Sequence, residues 1–212
     1  MIALKEWAII CKALEDGRQT LLLRKGGILE YRKGFEVKHS EFLLYPTFEH
    51  QSMNSIKTEY KEKLNEIVDQ NKHIKNEIND DDDKNYSINN TNNIKLFAKV
   101  EDVVEITDKT ILSSLRDHHI WSDEYVMMRM NYNPNKPMSI LLLRIYKMKD
   151  PLIIDIKDQW SGCKSWIDIE DIDIQNSHNL ETLVNEKPLI DPVLNDDIFY
   201  ESVNKIREVV EK

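Results

Sequence analysis

The chain has 212 residues, of which 41% are hydrophobic and 32% charged, a composition typical of a globular protein with one compact domain and short appendages. It contains no run of about 18 apolar residues and its N-terminus lacks the apolar core of a signal peptide, so we expect a cytoplasmic protein that does not enter a membrane. Its two cysteines, Cys11 and Cys163, are too few for a disulfide framework or a four-cysteine zinc site.

The net charge of −9 is distributed unevenly along the chain. Residues 166–212 contain 4 basic and 12 acidic side chains, and residues 79–93 contain 1 basic and 4 acidic side chains. The rest of the chain is close to neutral. A local basic patch for a negatively charged partner is therefore compatible with the acidic total, and the acidic tail suits a basic protein partner.

The first predicted element is a helix over 3–15, because apolar residues recur three to four positions apart from Leu4 to Leu14 and Gly17 follows as a helix end. The same stretch also fits a hairpin that turns at Gly17, because 8–11 is short, apolar and partly β-branched. A strand over 20–24 follows in either case.

Further elements are predicted in order along the chain. Short strands over 35–37 and 41–45, the second ended by Pro46, precede a long amphipathic helix from Ser55 to near Asn76. Residues 79–93 are rich in Asp and Asn and are predicted to form a disordered insertion. After it we expect strands over 94–106, 125–131, 139–147 and 152–156, a short helix over 110–116, a turn at Pro134 and Pro137, and a C-terminal helix over 197–211.

This order predicts an α+β fold, with a mostly antiparallel sheet of about six short strands, an N-terminal helix, one long helix and a C-terminal helix. Strands and helices do not alternate regularly, which argues against a doubly wound sheet. We expect a single domain over 1–170, interrupted by the insertion at 79–93, and an acidic segment over 171–212 that ends in the helix.

Several segments resemble one family. The stretches ALKEWAIICKALEDGRQTLLLRKGGILE and FEVKHSEFLLYPTFEHQ look like the opening of the domain-of-unknown-function 1802 family of bacteria and archaea. The later HHIW, ILLLRIYKMKDPLIID and GCKSW segments are similar to the second half of that domain. The resemblance covers roughly residues 3–170, with the insertion as a departure. It implies a single domain and no particular activity or cofactor.

One candidate catalytic group comprises Glu30, Glu36 and Lys38. An acidic residue and a Glu-x-Lys on neighbouring strands hold Mg²⁺ and position a water in nucleases of the restriction-endonuclease-like fold, and strand alternation would place Glu36 and Lys38 on one face. The same residues also fit a solvated strand edge with a weak ion pair. This group is the basis of the alternative hypothesis, a Mg²⁺-dependent phosphodiesterase.

A second candidate group consists of histidines and a cysteine, side chains that suit zinc. It contains His39, His50, His118, His119 and Cys163. Their spacing matches no helical pair of ligands and no Cys-x-x-Cys ribbon, so the sequence favours structural or exposed histidines and predicts no metal site.

Arg24 and Lys25 directly follow a predicted strand and precede Gly26 and Gly27. Cations and flexible backbone at such a place can bind a phosphate, although the spacing matches neither a Walker loop nor a dinucleotide fingerprint. The alternative is a tight turn that requires a positive φ at one glycine.

Basic and aromatic residues are interleaved between 116 and 147, the pattern of a protein that binds single-stranded nucleic acid or a flipped base. The candidate ligand-binding residues of this region are Arg129, Tyr132, Arg144 and Tyr146. Arg144 lies in an apolar strand, so it also fits an ion pair with an acid such as Asp123 or Glu124. The leading hypothesis is a non-catalytic module that binds nucleic acid or a nucleotide; the others are the phosphodiesterase and a protein-interaction adaptor.

Overall fold

The computed structural model describes residues 1–25, 35–76, 91–169 and 190–211. Within these ranges lie seven strands, β1 Ile2–Trp7, β2 Leu21–Arg24, β3 Glu41–Thr47, β4 Thr91–Ile106, β5 Met138–Asp155, β6 Trp166–Asp168 and β7 Ile190–Pro192. The helices are α1 Ala8–Glu15, α2 Lys61–Asn76, α3 Thr110–Ser114, α4 Asp123–Asn131 and α5 Asp196–Val210. Short 3₁₀ turns at Met53–Ser55, Thr58–Tyr60, Arg116–His118 and Asp158–Trp160 connect them.

The strands form one curled sheet in the order β2-β5-β4-β3-β1-β6. β7 also pairs with β5, at residues 146–148, whereas β2 pairs with residues 139–142 of β5. β1 and β3 run parallel, and the other described pairs are antiparallel. The predicted α+β class is thus confirmed, with a mixed sheet. The strands are not all short, because β4 and β5 have 16 and 18 residues and pair along most of their length.

Both faces of the central strands are buried. Leu4 and Leu44 pack in the larger core, together with residues of all five helices or their flanks, whereas their neighbours Ala3 and Leu43 pack in a second core around Trp160. Consecutive residues of a strand point to opposite faces of the sheet, so a strand that is buried on both sides is apolar without alternation.

This double burial explains the first correction. Only the second half of the predicted helix over 3–15 is helical, since Ile2–Trp7 forms β1 between β3 and β6. The nearly continuous apolar run supports a helix and a buried strand equally well, and the pairing on both edges decides for the strand.

The segment predicted as a strand over 125–131 is instead helix α4. Ser122 caps this helix by accepting a hydrogen bond from the Tyr125 backbone N–H at 3.3 Å, and acidic residues occupy its first turn. Val126 and Met130 are buried one turn apart on its inner face. The cap and the favourable charges outweigh the β-propensity of the side chains that follow.

Other boundaries also differ from the prediction. The segments over 139–147 and 152–156 belong to the single strand β5, and residues 35–37 form no strand. β3 continues through Pro46 to Thr47, where β3 pairs with β1 and no longer with β4. The long helix begins at Lys61, after two 3₁₀ turns, rather than at Ser55. Of the insertion predicted over 79–93, residues 91–93 belong to β4 and the remainder lies outside the described residues.

The predicted C-terminal helix is present as α5. Asn195 caps it by accepting a hydrogen bond from the Ile198 N–H at 2.9 Å, and its buried face packs into the larger core. That face contains Phe199, Val203, Ile206 and Val210. None of the helices in the described ranges has the length and apolar character needed to cross a membrane.

Candidate cleft between strands β1 and β2

A cleft of about 210 Å³ lies where the curled sheet leaves β1 and β2 unpaired with each other. Its walls come from the ends of β1 and β2, the chain after β3, helix α4 and the loop before β6. The side chains discussed below that line it are Lys5, Glu6, Trp7, Arg24, Phe35, Glu49, His50, Trp121, Tyr125, Arg129, Cys163, Lys164 and Ser165.

Arg24 joins the two strands across this gap. Its guanidinium donates to the Lys5 carbonyl oxygen at 2.6 Å and forms an ion pair with the Glu6 carboxylate at 3.2 Å. The other Glu6 carboxylate oxygen accepts a hydrogen bond from the Trp7 N–H at 2.8 Å. Side chains thus satisfy the backbone groups that a neighbouring strand would otherwise bind, and the cleft stays open.

Lys5 holds a second wall in place. Its buried ammonium donates to the Glu49 carboxylate at 2.8 Å and to the carbonyl oxygens of Trp160 and Gly162 at 2.7 and 3.0 Å. Glu49 also accepts a hydrogen bond from the Gly162 N–H at 3.3 Å. Burial opposes ionisation of Glu49, but the Lys5 ammonium outweighs it and lowers the pKa of that carboxyl.

These bonds position the loop 161–165, which places Cys163, Lys164 and Ser165 at the cleft. Gly162 has a φ of +81°, a backbone conformation that residues with a side chain rarely adopt, so glycine suits this turn. The Ser165 carbonyl oxygen accepts a hydrogen bond from the Lys5 N–H at 2.8 Å, directly before β6 begins. The loop is therefore anchored at both ends.

Helix α4 supplies an aromatic and a cationic side chain, Tyr125 and Arg129, to the cleft. Tyr125 and Arg129 lie four residues apart, so they share one face of the helix. The Tyr125 ring packs on Trp7 with 4.9 Å between ring centroids, and burial raises the pKa of the Tyr125 hydroxyl. Trp121 is buried at the cleft and is held by an isolated bridge to Ile56.

The charge of the cleft differs from that of the whole chain. Four basic residues, Lys5, Arg24, Arg129 and Lys164, and two acidic residues, Glu6 and Glu49, line it. With His50 neutral, the lining carries an excess of two positive charges, whereas the chain carries −9. This surface is suited to a negatively charged ligand.

The structure brings some of the predicted ligand-binding residues together at this cleft. Arg24 and Arg129 line it, and the Arg129 guanidinium lies 5.4 Å from the centroid of the half-exposed Tyr132 ring. Lys25 is buried against Lys136 and Met130 at the end of α4. Gly26 and Gly27 lie outside the described residues.

Arg144 and Tyr146 lie elsewhere, on β5. Tyr146 packs on Phe97 at the second core, and Arg144 lies against α5. The Arg144 guanidinium forms an ion pair with Asp196 at 2.6 Å and lies 4.6 Å from the centroid of the Phe199 ring. The acid that pairs with Arg144 is therefore not Asp123 or Glu124. Asp123 pairs with Arg116 at 3.1 Å.

The group proposed for metal-dependent catalysis is described only in part, because Glu30 lies outside the described residues. Glu36 and Lys38 are exposed and lie in a segment without regular structure. The strand that was expected to place them on one face is absent, so strand alternation no longer relates them. The Glu36 carbonyl oxygen accepts a hydrogen bond from the Trp166 indole N–H at 3.1 Å.

The histidines and cysteine of the second candidate group are spread over the fold. His50 and Cys163 line the cleft, His39 packs on the Trp166 ring, and His118 and His119 lie between α3 and α4. Within the described ranges no three His, Cys, Asp or Glu side chains are grouped so that they could hold a metal ion.

Sequence reasoning missed the contribution of β1. The sequence pattern predicts a helix at Lys5, Glu6 and Trp7 and does not distinguish Glu49 from other charged residues. A signal was present, because two charged residues interrupt an otherwise apolar stretch, and charged residues are rarely buried unless paired. Their partners, however, lie far away in the sequence, at Glu49, Trp160 and Arg24.

A family model described as "Domain of unknown function (DUF1802)" matches residues 3–204. No curated protein matches the chain. Among solved structures, the chain is similar to the crystal structure of ASCH from Zymomonas mobilis, with 13% identity over 90% of this chain and 95% of that chain and a TM-score of 0.43. A single-residue mutant of that protein is similar at 12% identity over 90% of this chain and 96% of that chain, with a TM-score of 0.44.

Proposed function

We infer that this protein, which belongs to the DUF1802 family, is a non-catalytic module that binds a nucleotide or single-stranded nucleic acid in this cleft. The description of the family assigns no function, so the cleft itself is the basis for this hypothesis. The base would lie against the aromatic wall formed by Trp7 and Tyr125. The phosphate would lie near Arg129 and Lys164.

The observation that carries this proposal is the pairing of positive charge with aromatic rings in one cleft of an acidic protein. Cations attract phosphates, and flat rings bind any base through its π face, with about 1–3 kcal/mol per stacked base. An apolar ligand would not require the excess of positive charge. An anion without a ring would not require the four aromatic side chains Trp7, Phe35, Trp121 and Tyr125.

The size of the cleft favours a single unpaired base. Its volume of about 210 Å³ is below the range of roughly 300–1,000 Å³ that is usual for pockets that enclose a whole small molecule. Trp7 and Tyr125 already contact each other, so a base would stack on one face of the pair rather than between the rings. A paired base within a duplex presents no free face to such a wall.

The test is a titration of fluorescently labelled single-stranded homopolymers, in RNA and DNA form, with duplexes of the same length as competitors. Arg129→Ala should weaken binding about tenfold and lower the dependence of log K on log salt by about 0.7, the value for one lost phosphate contact on a single strand. Arg116→Ala is the matched control, because Arg116 is 62% exposed and lies outside the cleft.

The proposal fails if the full-length protein binds neither form of single strand at about 50 mM salt, conditions that favour electrostatic binding. It also fails if Arg116→Ala weakens binding as much as Arg129→Ala does, because the affinity would then reflect overall charge rather than the cleft.

A further inference from the structure

We propose that the Glu6 and Arg24 side chains bind the Watson–Crick edge of the base that stacks on Trp7 and Tyr125, and that this base is guanine. This inference rests on the function proposed above and specifies which base the cleft selects.

Glu6 presents unused acceptor capacity to the cleft. The residue is only 7% exposed, yet its side chain lines the cleft. One carboxylate oxygen accepts a hydrogen bond from the Trp7 N–H, and the other pairs with Arg24. A carboxylate has about four lone-pair sites. Each oxygen can therefore accept a further hydrogen bond from a ligand.

Arg24 presents a donor next to this carboxylate. Its Nη2 makes both contacts of the guanidinium described above, with the Lys5 carbonyl oxygen and with Oε2 of Glu6. Among the described residues, neither Nε nor Nη1 has a hydrogen-bond partner, and of these two nitrogens only Nε is buried. Nη1 can therefore donate to a ligand in the cleft.

The order of these groups distinguishes the four bases. Nη1 of Arg24 and the two oxygens of Glu6 offer one donor followed by two acceptors. The Watson–Crick edge of guanine has the complementary order, the O6 acceptor followed by the N1–H and N2–H donors. Adenine, cytosine and uracil each match at most two of the three groups, because none of them has two adjacent donors on this edge.

Glu6 and Arg24 lie beside the aromatic side chains of the cleft. Glu6 directly precedes Trp7 in β1 and binds its backbone N–H. The Arg24 guanidinium lies 5.5 Å from the centroid of the Phe35 ring, which also lines the cleft. Burial raises the pKa of the Tyr125 hydroxyl, and the charges of Glu6 and Arg24 make smaller contributions. A base that stacks on Trp7 and Tyr125 thus has Glu6 and Arg24 next to its edge.

The charge of the pair suits a neutral base better than a phosphate. The Glu6 carboxylate and the Arg24 guanidinium neutralise each other, so they contribute no net charge to the cleft. The positive excess comes from other lining residues, among them Arg129 and Lys164, near which the proposed function places the phosphate. Because Glu6 is buried, a base without the matching donors would leave its oxygens unpaired, and such a penalty makes selection strong.

The first experiment measures binding of the full chain to single-stranded RNA pentamers by fluorescence anisotropy. The pentamers consist of uridines and differ only in the central base, which is guanine, hypoxanthine, adenine, cytosine or uracil. The guanine pentamer should bind at least about tenfold more tightly than those with adenine, cytosine or uracil, the discrimination expected of a bidentate contact with a base. Hypoxanthine lacks only the 2-amino group of guanine, so its pentamer should bind at least about threefold more weakly than the guanine pentamer. The proposal is overturned if any other central base, hypoxanthine included, binds as tightly as guanine.

The second experiment repeats the titrations with Glu6→Gln, which keeps the shape of the side chain but replaces one acceptor oxygen with a donor. The variant should bind the guanine pentamer at least about tenfold more weakly and lose its preference for guanine over adenine. Removal of a negative charge would by itself strengthen binding of an anion, so this expected loss is opposite in sign to a general effect of charge.

Glu41→Gln is the matched control, because it removes a carboxylate from an ion pair with Lys99 that lies outside the cleft. It should keep the preference for guanine. An unchanged preference in Glu6→Gln, or an equal loss of preference in both variants, overturns the proposal. Circular dichroism establishes whether Glu6→Gln is folded. Should it not fold, the comparison of guanine with hypoxanthine in the wild type decides the proposal by itself.

These measurements separate failure of this inference from failure of the proposed function. If all pentamers bind with equal affinity, the selection of guanine is wrong and the single-strand-binding function stands. If no pentamer binds but calorimetry shows binding of guanosine and not of adenosine, the proposed function is wrong and the guanine-binding edge stands. If neither pentamers nor guanosine bind, both are wrong.

Discussion

His119 provides a prediction about stability that follows directly from its environment. Its ring is 3% exposed, packs on Trp121 with 5.6 Å between ring centroids, and neither ring nitrogen has a hydrogen-bond partner among the described residues. Burial, together with the smaller effects of the Lys57 charge and the neighbouring His118, lowers the pKa of His119 from 6.5 to about 4. The folded protein therefore holds this imidazole neutral.

The direction of the pH effect follows from proton linkage. Between pH 6.5 and about 4 the unfolded chain binds a proton at His119 that the folded protein does not, so the free energy of unfolding falls as the pH falls through this window. The difference between the two pKa values corresponds to about 3 kcal/mol in total, of which about 2 kcal/mol is lost between pH 7 and pH 5.

The perturbation is His119→Phe, which keeps a ring against Trp121 and removes both buried nitrogens. At pH 7 the variant should be as stable as the wild type or up to about 1–3 kcal/mol more stable, because unsatisfied polar groups are lost. Between pH 7 and pH 5 its free energy of unfolding should fall by about 2 kcal/mol less than that of the wild type.

Urea unfolding followed by circular dichroism at pH 7, 6 and 5 measures both quantities. His50→Asn is the control, because His50 is exposed and has a φ of +59°, which asparagine tolerates. Its pH dependence should match that of the wild type. If the difference between His119→Phe and the wild type stays constant to within about 0.5 kcal/mol over this pH range, the assignment of a buried neutral imidazole is wrong.

Three further predictions concern other parts of the structure. Phe199→Ala should lower the free energy of unfolding, measured with urea, by about 3–5 kcal/mol, because this ring is buried in the larger core. Ile198→Ala, on the exposed face of the same helix, should change it by less than about 0.5 kcal/mol. Equal effects of the two substitutions would contradict the packing of α5. Arg144→Ala should lower the free energy of unfolding by about 1–3 kcal/mol, because its contacts with Phe199 and Asp196 are lost. Its affinity for single strands should be unchanged at a temperature where the variant is folded. Weaker binding would show that this face of β5 also contacts nucleic acid. Glu36→Ala should change stability by less than about 0.5 kcal/mol, because the side chain is exposed; loss of Mg²⁺- or Mn²⁺-dependent cleavage of single strands in this variant would instead support the phosphodiesterase hypothesis.

How well the sequence predicts an element depends on how many faces of that element are buried. α5 is amphipathic, and the spacing of Phe199, Val203 and Ile206 identifies its buried face directly. β1 is buried on both faces, so its sequence has no alternation and resembles part of a helix. For α4 the sequence contains the signal of a helix start, a Ser at position 122 followed by two acids, although the side chains that follow favour a strand.

The sequence by itself determined the α+β class, the amphipathic α5 and the presence of cations and aromatic rings that can bind phosphates and bases. Only the tertiary structure decided which of them meet. Arg24 and Arg129 are 105 residues apart in the chain, and they share a cleft because the sheet curls and leaves β1 and β2 unpaired. Arg144 and Tyr146 are also a cation and an aromatic ring, yet they lie outside the cleft, and α5 covers Arg144. Local sequence reports propensity and periodicity over a few residues, whereas such a cleft results from strand pairing and ion pairs between distant segments.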